Sequence, residues 1–414
     1  MAEKVKQVAE NRQKKQGSLS KYIAKGPIDI PFFGALMAVV AIGLIMLFSA
    51  SYTYSYYNRD SSYSIIVRQL IYDAIGIAIM IFVSKMNSNV FRYIAAISTP
   101  IAYVLLIAVL FWPEYKAGFK RWIWFKSFTF QPSEIAKIAL VLTLALLLEK
   151  NRNVTIGKVP SELKLSKKIY ELTEGKFTIY KSFTYLIGYG ILIVFYIGLI
   201  YAEHHVSGTI LVALLSLVML YLGEVKKGWF YLAIGVIAIG VIFIIANPSF
   251  LANYASERIT AWLDKDYDPM GARWQTNNAL YAIGSGGFTG TGLTFSKQKH
   301  LYVSEPQNDF IFSIVCEELG FVGAVLIILL FAYLIYRAIK IGQRANDRFS
   351  AMLAMGIAFQ VGIQVALNIA VVSDLIPNTG ISLPFFSAGG TSAVLLFAEM
   401  GMILSISRTS RIKG

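Results

Sequence analysis

The chain has 414 residues, of which 56% are hydrophobic and 15% are charged. Soluble domains carry about 25% charged residues, so this composition excludes an ordinary soluble protein and indicates a membrane protein. The formal net charge is +14, which we attribute to basic cytoplasmic loops facing anionic lipids, and we expect no nucleic acid partner. The single cysteine, Cys316, excludes an intrachain disulfide.

Apolar runs of about 20 residues recur along the whole chain, and each is long enough to cross a bilayer as a helix. The predicted fold is therefore all-α and polytopic, with ten transmembrane helices. The predicted spans are residues 30–53, 65–84, 90–112, 132–149, 182–202, 206–223, 228–247, 309–336, 350–372 and 387–406. Lys and Arg are concentrated in the segments that precede the odd-numbered spans, which places both termini in the cytoplasm.

One membrane domain, residues 30–406, accounts for most of the chain. A basic cytoplasmic tail, residues 1–29, precedes it, and a short cytoplasmic C-terminus, residues 407–414, follows it. The tail lacks the apolar core of a removable signal peptide. A second basic segment, residues 150–181, forms a cytoplasmic loop between the fourth and fifth spans.

A large outer loop, residues 248–308, joins the predicted seventh and eighth spans. It contains Trp262, Trp274, Tyr281 and a glycine-rich stretch at 284–292. Long loops between packed elements are usually either functional or disordered. Aromatic residues mixed with glycines favour an ordered loop with tight turns.

Asp309 stands where this polar loop enters the eighth predicted span. Hydrocarbon penalises a charge, so an ionisable group in this place is a functional candidate by default. The alternative is that Asn308 or Asp309 only caps the helix. Glu317 lies eight residues further on, on roughly the same helix face as Asp309, and Glu318 follows it. Buried carboxylates need a cation, a metal or water as a partner, and Asp309 in such a place is suited to be a general base.

A second polar group precedes the fourth span. Arg121 and Trp122 are followed by the run Gln-Pro-Ser-Glu-Ile-Ala-Lys at 131–137. Glu134 and Lys137 are three residues apart and can pair on one helix face. Either this pair only holds helices together, or Lys137 faces a wet cavity and meets an anionic substrate. Arg121 and Trp122 are likewise either interfacial anchors or substrate contacts.

The last outer segment, residues 377–392, combines two prolines, three glycines and several hydroxyls, Ser387 among them. This composition at membrane depth predicts a re-entrant segment, which is tolerated only against protein or a wet cavity. Close helix packing through small residues is the alternative interpretation.

The outer side of the predicted bundle therefore gathers cations and carboxylates, namely Arg121, Glu134, Lys137, Arg258, Lys299 and Asp309. Cations beside a carboxylate suggest a phosphorylated lipid handled at the outer leaflet. The cations would hold a pyrophosphate, and the carboxylate would accept a proton from an attacking hydroxyl. His204 and His205 are expected to be solvated loop residues.

These motifs resemble the SEDS family of peptidoglycan glycosyltransferases, which includes FtsW, RodA and SpoVE. The matching segments, in chain order, are Arg121-Trp122-Ile123, Gln131 to Lys137, Ala282-Ile283-Gly284-Ser285-Gly286-Gly287, Asp309-Phe310-Ile311-Phe312 with Glu317-Glu318-Leu319-Gly320, and Thr379-Gly380 through Gly389-Gly390. Members of the family often have Gln-Pro-Asp-x-Gly-Thr before the sixth span, where this chain has Glu203 to Thr209. We therefore assign no role of that proline and aspartate to this chain.

The resemblance implies ten helices with both termini inside and an enzyme that polymerises lipid II into β-1,4 glycan strands, releasing undecaprenyl pyrophosphate. It implies that Asp309 deprotonates the GlcNAc 4-hydroxyl of the acceptor. Candidate substrate-binding residues are Arg121, Trp122, Glu134, Lys137, Arg258, Lys299 and Ser387. A divalent cation, Mg²⁺ or Mn²⁺, at the pyrophosphate is compatible with this chemistry, with Asp309 and Glu317 or Glu318 as candidate ligands.

The long basic tail and the approach Lys297-x-Lys299-x-x-Tyr302 are more typical of the FtsW and SpoVE branches, and we expect an FtsW-like enzyme of the division septum. The implied partners are a class B penicillin-binding protein, which crosslinks the new strand, and other divisome or elongasome membrane proteins. Two other hypotheses remain open. One is a lipid II flippase or transporter, which the scarcity of ionisable residues in the inner halves of most spans disfavours; the other is a non-catalytic divisome scaffold.

Overall fold

A computed structural model describes residues 22–59, 61–113, 120–125, 128–153, 171–172, 181–225, 227–247 and 253–410. Most of the predicted basic tail, most of the basic loop at 150–181 and the last four residues lie outside these ranges. The predictions for those segments therefore stay predictions.

The described chain is mostly helical. The first helices are α1 Ile30–Asn58, α2 Ser64–Val83, α3 Ser88–Leu110, α4 Pro132–Lys150, α5 Lys181–Ala202, α6 Val206–Leu222 and α7 Lys227–Ala246. The others are α8 Asn253–Leu263, α9 Trp274–Gly286, α10 Ile311–Gln343, α11 Arg348–Val372 and α12 Gly390–Thr409. Helices α8 and α9 lie in the segment predicted to be the large outer loop, which we call the outer segment after that prediction.

Seven of the described helices are long and apolar enough to cross a membrane: α1, α2, α3, α5 (from Tyr185), α10, α11 and α12. The predicted spans at 132–149, 206–223 and 228–247 are also helices, α4, α6 and α7. Helix α4 carries four charged residues and α6 has 17 residues, so neither is a typical span by composition and length. A count of ten membrane crossings and the cytoplasmic termini stay predictions.

The all-α expectation misses one element. Residues Ile123–Phe125 (β1) and Phe128–Phe130 (β2) pair as an antiparallel hairpin, with Trp124 opposite Thr129. Aromatic and β-branched side chains favour strands, and these short runs lie between helices, where no helical periodicity competes. The hairpin leads directly into α4.

Helix α11 lies in the interior, in contact with α4, α6, α10 and α12. Glycines allow neighbouring helices to approach closely, as is common in membrane bundles. A Cβ on Gly76 of α2 would lie 2.3 Å from the Phe397 ring of α12, and a Cβ on Gly401 would lie 2.7 Å from the Met80 carbonyl oxygen. Substitution at either glycine would push α2 away from α12.

The segment between α11 and α12, residues 373–389, enters the helix bundle, and we call it the re-entrant segment after its predicted character. Residues 373–389 are non-helical, yet Leu383 and Phe386 are buried, with 1% and 0% exposure. The segment reaches Gly43 in the middle of α1, where a Cβ would lie 2.3 Å from the Phe385 carbonyl oxygen. This irregular backbone is covered by protein, as the membrane interior requires.

Helix α10 is broken at Gly320, whose φ of 65° and ψ of −170° are not helical. Such a break frees backbone groups that need new partners inside a membrane protein. Four backbone hydrogen bonds supply them, from Phe321 to Gly287, Val322 to Phe288, Thr291 to Glu317 and Gly292 to Glu318. A Cβ on Gly290 would lie 2.2 Å from the Glu318 carbonyl oxygen, so the loop after α9 fits the break only because glycine stands there.

Candidate active site

Asp309 lies in the turn that precedes α10, and it is half-buried. The N-cap position of α10 belongs to Phe310, one residue after Asp309, so neither Asp309 nor Asn308 occupies the cap position. Asn368 on α11 holds the backbone here: its Nδ2 donates to the carbonyl oxygens of Asp309, at 2.7 Å, and of Ile381, at 2.6 Å. One buried amide thus joins the turn of Asp309 to the re-entrant segment.

The re-entrant segment surrounds Asp309 from the other side. Gly380 has a φ of 73°, and a Cβ there would lie 3.0 Å from Asp309 Oδ2. Ser387 Oγ donates to the Asn308 carbonyl oxygen at 2.8 Å and accepts the Leu383 N–H at 2.8 Å. The carboxylate is therefore held against a glycine in the left-handed region, where any side chain would crowd it. Ser387 is placed as a support of this turn.

Glu134 and Lys137 form an ion pair at the start of α4, with 2.8 Å between Lys137 Nζ and Glu134 Oε2. Lys137 is 4% exposed. The ring of His205 is beside them, with its Nδ1 3.2 Å from Ser133 Oγ. Burial and the nearby cations Arg121 and Lys137 hold the pKa of His205 well below its usual value. His205 is therefore neutral and half-buried against Ser133 rather than the solvated loop residue expected, whereas His204 is exposed.

This cluster is connected to Asp309 through the turn between α5 and α6. Ser207 Oγ, in the first turn of α6, donates to the Gly380 carbonyl oxygen at 3.4 Å, and a Cβ on Gly380 would lie 3.0 Å from Asp309 Oδ2. Arg121 donates to the carbonyl oxygen of His204 in the same turn. Arg121 and the Glu134–Lys137 pair therefore lie close to the turn of His204 and His205, while Asp309 lies against Gly380 of the re-entrant segment.

Glu203 is in this turn, fully buried, and neither of its carboxyl oxygens has a hydrogen-bond partner among the described residues. Burial raises the pKa of Glu203 to about 9, although the Arg121 charge lowers it. The side chain is therefore neutral at pH 7 in the folded protein. The sequence placed Glu203 beside His204 before the sixth predicted span but gave no sign of its burial, because a polar run between two apolar spans is typical of a solvated loop.

Glu203 predicts a pH dependence of stability. Between about pH 4.5, where the unfolded carboxyl ionises, and about pH 9, the folded state binds more protons, so stability falls as pH rises. The maximum slope for one proton is about 1.4 kcal/mol per pH unit. Glu203→Gln has no titratable proton at this position. We therefore expect its thermal unfolding midpoint to depend less on pH between pH 5 and 9 than that of the wild type. The exposed Glu257→Gln is the control; equal profiles for Glu203→Gln and the wild type would refute the burial argument.

Arg258 on α8 binds the beginning of the re-entrant segment. Its Nη1 donates to the carbonyl oxygen of Asn378 at 2.6 Å and to Asn378 Oδ1 at 3.1 Å. A second cation from the large outer segment, Arg273, pairs with Asp374 at 2.8 Å and is 4% exposed. Helices α8 and α9 are thereby attached to the segment that surrounds Asp309. The structure shows this contact of Arg258 with Asn378, and substrate binding by Arg258 stays a prediction.

Lys299 is not with the other cations. Its ammonium is buried and donates to Glu318 Oε1 at 2.9 Å, to Ser49 Oγ at 3.0 Å and to the carbonyl oxygen of Thr294 at 2.6 Å. Ser49 belongs to α1 and Glu318 to α10, so Lys299 fastens the outer segment between these helices. All three donor hydrogens are used in this arrangement. Substrate binding by Lys299 stays a prediction, and it would require these bonds to be replaced.

The donor set does not fit a metal held by protein ligands alone. Among the described residues, no group of three or more His, Cys, Asp or Glu side chains is arranged to hold an ion. Glu317 accepts hydrogen bonds from Ser296 Oγ and the Lys297 N–H, and Glu318 pairs with Lys299. The role of Mg²⁺ or Mn²⁺ stays a prediction, and the proposed reaction contains no metal step.

A row of amides on α11 was not among the candidates predicted from the sequence. Gln360, Gln364 and Asn368 are spaced by four residues and share one helix face. Gln360 Nε2 donates to Glu399 of α12 at 2.9 Å, and Gln364 Nε2 donates to the Ser382 carbonyl oxygen at 3.1 Å. The i, i+4, i+8 spacing of amides in an apolar helix was the signal that could have revealed them. The row connects the re-entrant segment to the interior of the bundle.

The comparisons with known proteins agree with one another. A family model described as a cell cycle protein, FtsW, RodA and SpoVE, matches residues 30–412. Stage V sporulation protein E of Bacillus subtilis (strain 168) is 35% identical over 383 residues, covering 91% of this chain and 95% of that protein. A probable peptidoglycan glycosyltransferase FtsW of Geobacter sp. (strain M18) is 32% identical over 382 residues, covering 91% and 96%.

Two solved structures share the fold. A chain of a peptidoglycan synthase complex, studied for the structural coordination of polymerization and crosslinking, has a TM-score of 0.68 at 22% identity and covers 92% of this chain and 98% of that chain. The rod shape determining protein RodA of Thermus thermophilus has a TM-score of 0.61 at 22% identity and covers 92% and 97%. Both likenesses extend over nearly the whole described bundle.

Proposed function

The chain belongs to the FtsW, RodA and SpoVE family, and from this membership we propose that it polymerises lipid II into β-1,4 glycan strands at the outer face of the cytoplasmic membrane. It is a multi-pass membrane protein and a peptidoglycan glycosyltransferase, the activity that its FtsW relatives carry in their names. The observation that supports a catalytic role for Asp309 is its placement before α10. Asn368 and Ser387 bind the backbone of this turn, and Gly380 lies against the carboxylate.

In the proposed reaction, Asp309 accepts the proton of the GlcNAc 4-hydroxyl of the acceptor. That oxygen attacks C1 of the MurNAc of the growing chain, the C1–O bond to the pyrophosphate breaks, and undecaprenyl pyrophosphate leaves with the bonding electron pair. In-line displacement converts the α-linked donor into a β-1,4 linkage. Arg121 and Lys137, the cations next to the turn between α5 and α6, would stabilise the charge of the leaving pyrophosphate.

Three further features belong to this proposal. Ten transmembrane helices with both termini in the cytoplasm put Asp309, the hairpin and helices α8 and α9 on the outer side. A class B penicillin-binding protein is the proposed partner, since the fold is shared with a chain of a synthase complex that combines polymerization and crosslinking. Division at the septum is the proposed site of action, in keeping with the FtsW relatives.

Lys137 tests the role of the cations. Loss of a charged hydrogen bond costs about 1.5–3 kcal/mol, so we expect Lys137→Ala to weaken the apparent affinity for lipid II by about 10- to 100-fold, or to abolish turnover, in a polymerisation assay over a range of lipid II concentrations. The double variant Glu134→Gln/Lys137→Met distinguishes the two interpretations of the ion pair. Recovery of wild-type kinetics in the double variant would show that the pair is only structural.

A further inference from the structure

We propose that a cavity at the end of the bundle opposite Asp309 binds the phosphate headgroup of an anionic phospholipid. The cavity has a volume of about 260 Å³ and lies between the segment that precedes α1, the last turns of α10 and the end of α12. Asp309 precedes the first residue of α10, whereas Lys340 and Arg344 at the cavity are at its other end. The part of α10 after the break at Gly320, residues 321–343, alone spans roughly 35 Å, so this site is on the other membrane face from the proposed reaction.

The cavity has an excess of positive charge. Its single carboxylate, Asp29, is already neutralised by Arg337 at 2.6 Å and accepts the Phe32 N–H. Lys340 Nζ lies 5.6 Å from the Tyr336 ring centroid. Neither Lys340 nor Arg344 is within ion-pair distance of a carboxylate in the part of the chain that the structure describes. Two cations that no described carboxylate neutralises therefore face one cavity.

The ends of α10 and α12 bring carbonyl groups close to the same place, and these repel an anion. Each helix end carries about half a negative elementary charge, so the two ends together offset about one cation. Arg408, whose Nη1 donates to the Gly26 carbonyl oxygen at 2.8 Å, adds a third positive charge next to the cavity. The net charge around the cavity therefore remains positive and favours a bound anion, in particular a phosphate held by guanidinium groups.

The wall of the cavity is a fixed structure. Gly26 has a φ of 126°, and a Cβ there would lie 2.3 Å from the Arg408 carbonyl oxygen, so this segment packs directly on the end of α12. The Asp29 N–H donates to Ser407 Oγ at 3.1 Å, and the Ala24 N–H donates to the Lys85 carbonyl oxygen at 2.8 Å. The cations therefore face a preformed cavity rather than a loose loop.

The apolar part of the lining identifies the source of the phosphate. Ile28, Ile30 and Ile341 line the cavity together with two prolines, and Ile30 is 73% exposed. Charged groups at one side and exposed aliphatic groups at the other suit an amphiphile at the membrane surface, and basic pockets between membrane helices bind anionic lipid headgroups in this way. A free phosphate ion would use the cations but would leave the aliphatic side exposed to water.

The test is lipid binding by the full chain in nonionic detergent, measured by native mass spectrometry as phosphatidylglycerol is titrated. Phosphatidylcholine with the same acyl chains is the uncharged comparison, and inorganic phosphate is the competitor. We expect Lys340→Gln/Arg344→Gln to weaken phosphatidylglycerol binding by about 30-fold, since each surface cation contributes on the order of fivefold. Phosphatidylcholine binding should be unchanged. The single variant Arg344→Gln should show about a fivefold loss.

The matched control is Lys85→Gln/Lys150→Gln, which removes the same charge from the same membrane face outside the cavity. A loss in this control equal to that of the cavity variant would show a general surface potential and overturn the proposal. Equal wild-type affinity for the two lipids would also overturn it. Displacement of phosphatidylglycerol by an equal concentration of inorganic phosphate would assign the site to free phosphate instead. A monodisperse elution profile and an unchanged unfolding midpoint establish that each variant is folded.

Discussion

Replacing Asp309 by Asn is expected to lower the rate of lipid II polymerisation by at least about 100-fold, the usual contribution of a general base. Asparagine has nearly the same shape and keeps the hydrogen bonds to the backbone of this turn, but it cannot accept the proton of the attacking hydroxyl. The unfolding midpoint of Asp309→Asn should stay within a few degrees of the wild type, because Asn368 and Ser387 bind backbone groups of this turn rather than the carboxylate.

The assay incubates purified wild type and variant with labelled lipid II, with and without the cognate class B penicillin-binding protein, and resolves glycan strands on a gel. Asp266→Asn is the matched control, since Asp266 is an exposed carboxylate of the same outer segment. A ladder from the wild type and from Asp266→Asn, lost in Asp309→Asn, would support the general base. Normal polymerisation by Asp309→Asn would sink it, and absence of a ladder from the wild type with the partner present would favour the transporter or scaffold hypothesis.

Replacing Lys299 by Met is expected to destabilise the folded protein strongly. Glu318 would remain buried without its cation, and breaking a buried ion pair from one side costs about 3–5 kcal/mol. Lys299 and Glu318 are both nearly inaccessible to solvent, so water cannot replace the lost partner. The measurement is thermal unfolding in detergent, with a fall of the midpoint by many degrees.

The double variant Lys299→Met/Glu318→Gln removes both charges and should recover most of the lost stability, because a neutral amide can still bond to Ser49. Lys297→Met is the control at an exposed lysine of the same segment, and it should unfold like the wild type. If Lys299→Met unfolds like the wild type but loses affinity for lipid II, Lys299 is a substrate ligand, and the structural role assigned to the buried pair is wrong.

The re-entrant segment connects the outer helices to the proposed catalytic turn. Arg258 binds its beginning, Asn368 and Ser207 bind its middle, and Ser387 fastens its end to the turn of Asp309. Helix α8 is therefore joined to the surroundings of the carboxylate through the contact of Arg258 with Asn378. The outer segment and the proposed catalytic turn are one connected unit within the described chain.

The membrane class, the positions of the long helices and the candidate carboxylate followed from the sequence alone, because each depends on local chemistry. Runs of apolar residues need a bilayer and must satisfy their backbone within helices, and Asp309 is conspicuous because a charge is costly there. The motifs at 131–137, 282–287 and 309–320 identified the family for the same reason: they are contiguous in the chain. The ends of the helices were harder to predict from the sequence, and α1 and α10 extend several residues beyond the C-terminal ends of the predicted spans.

Only the tertiary structure decided which polar groups meet. Lys299 and Arg258 belong to one predicted outer cluster by sequence, yet one is buried against Glu318 and Ser49 and the other binds Asn378. The break at Gly320, the burial of Glu203 and the two hydrogen bonds of Asn368 depend on residues tens to hundreds of positions apart. Side-chain pairing across helices is set by packing, and packing distances are absent from a one-dimensional pattern, so the sequence could name the candidate residues but could not assign their partners.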